Sequence, residues 1–291
     1  YKKTLSLRNE SISFIKNTKY TSYIERVSKW LKNENNHIIT YSDDKYPTSL
    51  KEISSAPMIL YCVGDIKLLK SNQLAIVGAR KNSSYGKNAV KKIIQEIANN
   101  NITITSGLAY GIDTIAHKYA LEYKLKTIAV VGTGVDIIYP SSNRQLYEDI
   151  SKQGLIVSEF TLGTGPLRHN FPQRNRIISG LSKGVLIVEA ASRSGSLITA
   201  KLALEQNKEV LAIPGSIFSD TSIGCNELIQ QGAKLVNNAN DIIEELNLAE
   251  PPHLGINTTK LSYSEISEIL FELEMKSIIE SVPGGYTNNI L

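Results

Sequence analysis

Cysteine is scarce in this chain: its 291 residues include two, Cys62 and Cys225, far apart and set among apolar or small neighbours. That excludes a disulfide framework and the paired spacing of a structural zinc site, and it fits a reducing compartment, expected to be the cytoplasm. No apolar run approaches the roughly 20 residues that span a bilayer, and the opening residues hold no hydrophobic signal region. No membrane association is expected. The pattern G-x-x-x-x-G-K-[ST] is missing, which removes a P-loop nucleotidase. Gly132-Thr133-Gly134 starts a G-x-G-x-x-G pattern, but its third glycine position is Ile137. A dinucleotide is therefore unsupported, and no cofactor and no metal are expected.

Hydrophobic residues make up 42% of the chain and charged residues 21%, enough apolar side chain for a globular core. The net charge of +4 is mild, but it is unevenly spread. Residues 1–70 carry 12 Lys/Arg against 7 Asp/Glu, residues 71–246 carry 18 against 15, and residues 247–291 carry 2 against 6. So acidic a C-terminal stretch is a poor grip for nucleic acid, which places any polyanion site in the middle of the chain.

That middle alternates short apolar runs with helix-period segments. Leu74–Val77, Ile102–Thr105, Thr127–Val131, Leu155–Ser158, Gly184–Val188 and Val210–Ile213 are continuous and Val/Ile-rich, as strands buried on both faces of a parallel sheet should be. Between them Tyr85–Ala98, Ile112–Glu122 and Leu197–Gln206 carry a helical period. The expectation is an α/β fold, a Rossmann-like, doubly wound, mostly parallel sheet over residues 67–246. Residues 1–66 read as a helical N-terminal region, polar and helical over 9–34, with an extended lead-in broken at Tyr46-Pro47 and Ala56-Pro57. Glu250-Pro251-Pro252 marks a linker. Within 247–291, Ser262–Ile279 reads as a small helical piece and Pro283-Gly284-Gly285-Tyr286 as a turn or wing.

Ligands of open α/β sheets gather at the carboxyl ends of the strands. Here those ends read Gly78-Ala79-Arg80, Ser106-Gly107-Leu108, Gly132-Thr133-Gly134, Ser194-Gly195-Ser196 and Pro214-Gly215-Ser216. Small residues before a helix let backbone N–H groups and positive helix ends face an anion. Five such turns point to a phosphate or polyanion crevice; tight turns needing glycine for backbone geometry alone are the alternative.

Arg168-His169-Asn170-Phe171-Pro172-Gln173-Arg174-Asn175-Arg176 lies inside a stretch, Phe160 to Val188, that has no acidic residue. Arginine pairs bidentately with phosphate, and a phenylalanine face stacks a base. An isolated platform suits a single strand, because duplex bases already stack on each other. The competing reading is an arginine-rich helix start with Phe171 in the core. Arg80 would add a cation at the same crevice edge.

The motifs just given, together with Tyr46-Pro47-Thr48-Ser49-Leu50, Pro57-Met58-Ile59-Leu60-Tyr61, Tyr110-Gly111-Ile112-Asp113, Tyr139-Pro140 and Glu189-Ala190, resemble the DprA/Smf family of DNA-processing proteins over roughly residues 40–246. The resemblance implies an extended Rossmann fold, a homodimer, and binding of single-stranded DNA without catalysis. It also implies delivery of that strand to the RecA recombinase during natural transformation. It further implies a SAM-like N-terminal domain and a winged-helix-like C-terminal one. The DNA-binding residues it carries over, joined with the strand-end loops, are Gly78, Arg80, Ser106, Gly107, Gly132, Arg168, Phe171, Arg174, Asn175, Arg176, Ser194, Gly195 and Ser196.

The same fold resembles the LOG-type (lysine decarboxylase-like) nucleoside-monophosphate phosphoribohydrolases, which would make the chain an enzyme. Their PGGxGTxxE loop supplies a glutamate; the comparable loop here, Arg193 to Ala200, has no carboxylate. Asp113 and His117, four apart on one helix face, would be the candidate acid–base pair, although such a pair is more often a helix-start carboxylate with a neighbouring histidine.

Overall fold

The computed structural model describes residues 21–248 and, beyond them, Glu268, Phe271, Glu272 and the ranges 279–282 and 285–288. The chain divides into two compact units, Tyr1–Leu248 and Ala249–Leu291. In the second, β10 (Ile279–Val282) and β11 (Gly285–Asn288) pair antiparallel as a hairpin, and Glu268, Phe271 and Glu272 are helical. Ile279, the expected end of the helical piece that starts at Ser262, opens β10 instead; the rest of that piece lies outside the described residues, as does the expected helix before residue 21.

The first unit is built on a nine-stranded sheet in the order β1 (Asn36–Thr40), β2 (Ile59–Gly64), β6 (Leu155–Ser158), β5 (Thr127–Val130), β4 (Thr103–Ser106), β3 (Gln73–Val77), β7 (Gly184–Ile187), β8 (Glu209–Ala212) and β9 (Lys234–Leu235). From β3 (Gln73–Val77) the chain passes through α3 (Ser84–Glu96) to β4 (Thr103–Ser106). It continues through α4 (Ile112–Glu122) to β5 (Thr127–Val130) and through α5 (Arg144–Gln153) to β6 (Leu155–Ser158). Then it reverses. Helix α6 (Asn170–Leu181) carries it back to β7 (Gly184–Ile187) on the other side of β3, followed by α7 (Gly195–Glu205), β8 (Glu209–Ala212), α8 (Ile223–Gln230), the short β9 (Lys234–Leu235) and α9 (Ala239–Glu245). Strands β3 to β9 are all parallel, with Leu74 level with Ile104 on one side and Gly184 on the other. The change of winding direction at β3 and β7 is a topological switch point, where a crevice opens at the carboxyl ends.

The apolar runs are continuous because both faces are covered. Along β3, Ala75 and Val77 join a cluster with Ile177 and Ile178 of α6 and Ala200 of α7. Leu74 and Ile76 point to the opposite face, against Val90 and Ile94 of α3 and Ala116 of α4. Strand alternation thus distributes one buried strand between two helix layers.

The N-terminal third corrects the expected organisation. The lead-in contributes β1 (Asn36–Thr40) and β2 (Ile59–Gly64), which extend the large sheet antiparallel, β2 pairing with β6. Short α2 (Thr48–Lys51) buries Leu50 in the same core as α6. Pro47 and Pro57 interrupt the segment between β1 and β2, so neither removes a ladder hydrogen bond. Helix α1 (Thr21–Trp30) brings Val27 and Trp30 onto the α5 side of the domain. No described helix is long and apolar enough to cross a membrane. Both cysteines are buried and unpaired, and burial pushes each thiol up to about 12.

Candidate nucleic-acid interface

At the switch point lies a cavity of about 260 Å³. Val77, Gly78 and Arg80 after β3 form one wall, Phe171, Arg174 and Asn175 of α6 another. Ser194, Gly195 and Ser196 at the start of α7 close a third side, and Asp113 of α4 sits at the floor. Eight of the thirteen residues expected to bind DNA thus converge on one crevice, from three separate stretches of chain.

The remaining five do not line it. Ser106 is buried and donates its hydroxyl to the Ile76 carbonyl, 2.6 Å away, tying β4 to β3. Gly107 and Gly132 are glycines because side chains occupy the space a Cβ would need. At Gly107 it would collide with the Arg174 guanidinium; at Gly132 it would lie 3.0 Å from Cδ1 of Phe171. Arg168 is exposed in the turn before α6 and does not line the cavity. Arg176 also misses it: both terminal nitrogens donate to the Glu159 carboxylate at 2.6 Å, and Nε donates to Ser55 Oγ at 3.0 Å. The acid that neutralises it stands one residue outside the acid-free stretch, so the local composition concealed the pair.

Arg174 lines the cavity but is turned inward, with only 4% of its surface exposed. Its guanidinium donates to the carbonyls of Gly107 and Val130, at the ends of β4 and β5, and its Nε donates to Asn175 Oδ1 at 2.9 Å. Nη2 stands 4.0 Å from Asp113 Oδ2. Burial draws the guanidinium pKa down to about 10, against the pull of Asp113, so it stays charged at neutral pH. Asp113 is raised by burial, which outweighs Arg174 and the donors from the loop before α4. The pair is an internal strut joining α6, α4 and two strand ends.

Phe171, three residues before Arg174 on the same helix, is placed by the contacts of the helix start. Asn170 Nδ2 donates to the Gly132 carbonyl at 3.1 Å, pinning the start of α6, and Pro172 sits in its first turn, where a missing N–H costs no helical bond. Phe171 between them is half-buried, flat enough on Gly132 to need a glycine there, with the Tyr139 ring 5.4 Å away and tilted 51°. It belongs to none of the core clusters, so the reading of Phe171 as core packing is not met. Tyr139, 42% exposed, is an aromatic neighbour that residue spacing did not single out.

The supposed acid–base pair does not form. His117 is fully buried, its Nδ1 lies 2.7 Å from Thr127 Oγ1, and burial lowers its pKa to about 3. Because the Thr127 hydroxyl donates to the Ile104 carbonyl, Nδ1 carries the proton and Nε2 is left without a partner. Among the described residues no group of three or more His, Cys, Asp or Glu is placed to hold a metal.

Fold and crevice together define a Rossmann-like α/β protein with a switch-point crevice lined by Arg80 on one side and Phe171 on another. The family model for DNA recombination-mediator protein A matches residues 37–247, and the chain belongs to this DprA/Smf family of DNA-processing proteins. DNA processing protein DprA of Streptococcus pneumoniae is 49% identical over 70% of this chain and 72% of its own. Protein Smf of Escherichia coli is 40% identical over 90% of this chain and 80% of its own. Among solved structures, the Streptococcus pneumoniae DprA superposes with a TM-score of 0.72 at 46% identity, covering 76% of this chain and 77% of that one. A structure of DprA from Helicobacter pylori, determined to describe its single-stranded DNA binding mode, superposes with a TM-score of 0.65 at 33% identity over 72% of this chain and 96% of that one.

Proposed function

We propose that this protein is a cytoplasmic homodimer that holds single-stranded DNA in the switch-point crevice, without catalysis and with little sequence preference, and passes it to the RecA recombinase during DNA uptake. The observation that carries the reading is a pairing of opposites at one site. An exposed guanidinium, Arg80, faces a half-exposed ring, Phe171, across a floor fixed by buried hydrogen bonds. The guanidinium meets a phosphate, the ring meets an unpaired base, and the α7 start with Ser194 to Ser196 offers further N–H and hydroxyl donors. None of these groups reads the edge of a base, which is why sequence should matter little. The binding mode described for the Helicobacter pylori relative supports the same partner, and membership of a family of recombination-mediator proteins supports the handover. The loop expected to supply a hydrolase carboxylate remains Arg193 to Ala200, without one.

Gel shift with single-stranded and duplex oligonucleotides of equal length tests the reading. Single strands should bind more tightly at physiological salt, with affinity falling steeply as salt rises. Equal or tighter duplex binding would overturn it.

A further inference from the structure

A second run of the chain also lacks acid: residues 66–95 hold no Asp or Glu. Its cations divide by helix face. Lys92 Nζ donates to the Asn237 carbonyl at 3.0 Å and lies 3.8 Å from Glu96, so it is engaged. Lys87 and Lys91, one turn apart on the neighbouring row, form no ion pair among the described residues. Like charges at that spacing repel within the helix, so they do not serve its stability.

Facing that row, α4 presents two tyrosines, also one turn apart. Lys91 Nζ stands 5.8 Å from the centre of the Tyr119 ring, and Tyr123 reaches Gln95 with its hydroxyl at 3.4 Å. The rings lie 6.5 Å apart and only partly buried. Both helices start at the crevice end of the sheet. Helix α3 begins four residues after Arg80, and the start of α4 is bound to the same loop, Ile112 N donating to the Ala79 carbonyl at 3.1 Å. Beyond Arg80 the paired helices therefore carry two lysines on one and two rings beside them on the other, over about 10 Å from the helix starts to Lys91 and Tyr119.

We propose that this α3–α4 surface is a second nucleic-acid tract that takes the strand leaving the crevice, with Lys87 and Lys91 toward phosphates and Tyr119 and Tyr123 beside bases. The inference rests on the crevice holding single-stranded DNA. Charge complementarity and continuity with the Arg80 edge select this occupant: a row of cations runs beside a pair of aromatic rings, the combination that tracks an unpaired strand.

The test uses the full chain with oligo-dT of about 6 and about 18 nucleotides, bracketing the reach of a single site. Lys87→Gln/Lys91→Gln should leave the short oligonucleotide bound as in the wild type, weaken the long one about tenfold, and lower its salt slope by about 1.4, at roughly 0.7 per phosphate contact. The thermal midpoint should fall by no more than about 2 °C, since no ion pair is lost and only the partly exposed contact of Lys91 with the Tyr119 ring goes. Wild-type binding of the long oligonucleotide by the double variant, with Arg80→Ala weakened at both lengths, would remove the tract and leave the crevice. An equal loss at both lengths would make the lysines a diffuse field and overturn the tract as well. Arg80→Ala that binds both lengths normally would sink the crevice reading itself, and with it the tract as its continuation.

Discussion

On the β3 side of the crevice Arg80 is exposed and forms no ion pair among the described residues, whereas on the α6 side Arg174 and Arg176 are both committed to the protein. Arg174 joins two strand-end carbonyls to Asp113, and Arg176 is held by Glu159. Three arginines near one site thus do three jobs: reaching solvent, bracing the floor, and fastening α6 to the loop after β6. A cation that already has partners costs a great deal to detach and brings little to a phosphate. On the proposed function, availability rather than the number of basic residues sets which of them should bind.

The largest effect should come from removing the brace. Arg174→Ala leaves the Asp113 carboxyl buried without its cation and two strand-end carbonyls unsatisfied, a loss of roughly 3–5 kcal/mol of stability. Thermal unfolding should show it as a drop in midpoint of more than about 6 °C. A variant that melts within a degree or two of the wild type would mean that the brace is dispensable and that the comparison between the two sides fails.

The acid side of the stability profile sharpens the same contrast between buried and open groups. His117 titrates near 6.5 when unfolded and at about 3 when folded. Between those values the unfolded chain binds the extra proton, so stability falls as pH drops below 6.5 and stops falling, for this group, near 3. At about 1.4 kcal/mol per pH unit, the loss should reach about 2 kcal/mol by pH 5. His117→Asn, which keeps a donor toward Thr127, should flatten that limb in denaturant titrations. An unchanged limb would assign it to the carboxylates.

Much of the sheet was legible in the residues because its strands are buried on both faces and so read as unbroken apolar runs. Helix α4 matches its expected span at both ends. Strands β1 and β2 were not legible: β2 joins the sheet antiparallel beside β6, a pairing across about ninety residues that no local pattern announces. The crevice was visible as five glycine-rich strand ends and one arginine segment. What local composition could not show is direction. Arg174 and Arg176 lie two apart on a helix and so point different ways, one to carbonyls and one to an acid outside the acid-free stretch.

Phe171 should behave as an open group. Phe171→Ala removes a stacking face worth roughly 1–3 kcal/mol per base, with little change in salt slope. The half-buried ring should leave the melting temperature within a few degrees. A cavity-type loss of roughly 3–5 kcal/mol in stability, with normal binding by the folded fraction, would return the ring to the core.

The central claim is tested most directly by the salt dependence of single-stranded DNA binding for Arg80→Ala and Arg176→Ala, measured side by side by fluorescence anisotropy. The available cation should count and the committed one should not. Arg80→Ala is expected to lower the slope of log affinity against log salt by about 0.7, the value of one lost phosphate contact on a single strand. Arg176→Ala is expected to leave the slope where it was. An unchanged slope for Arg80→Ala, or an equal fall for both, would contradict the account.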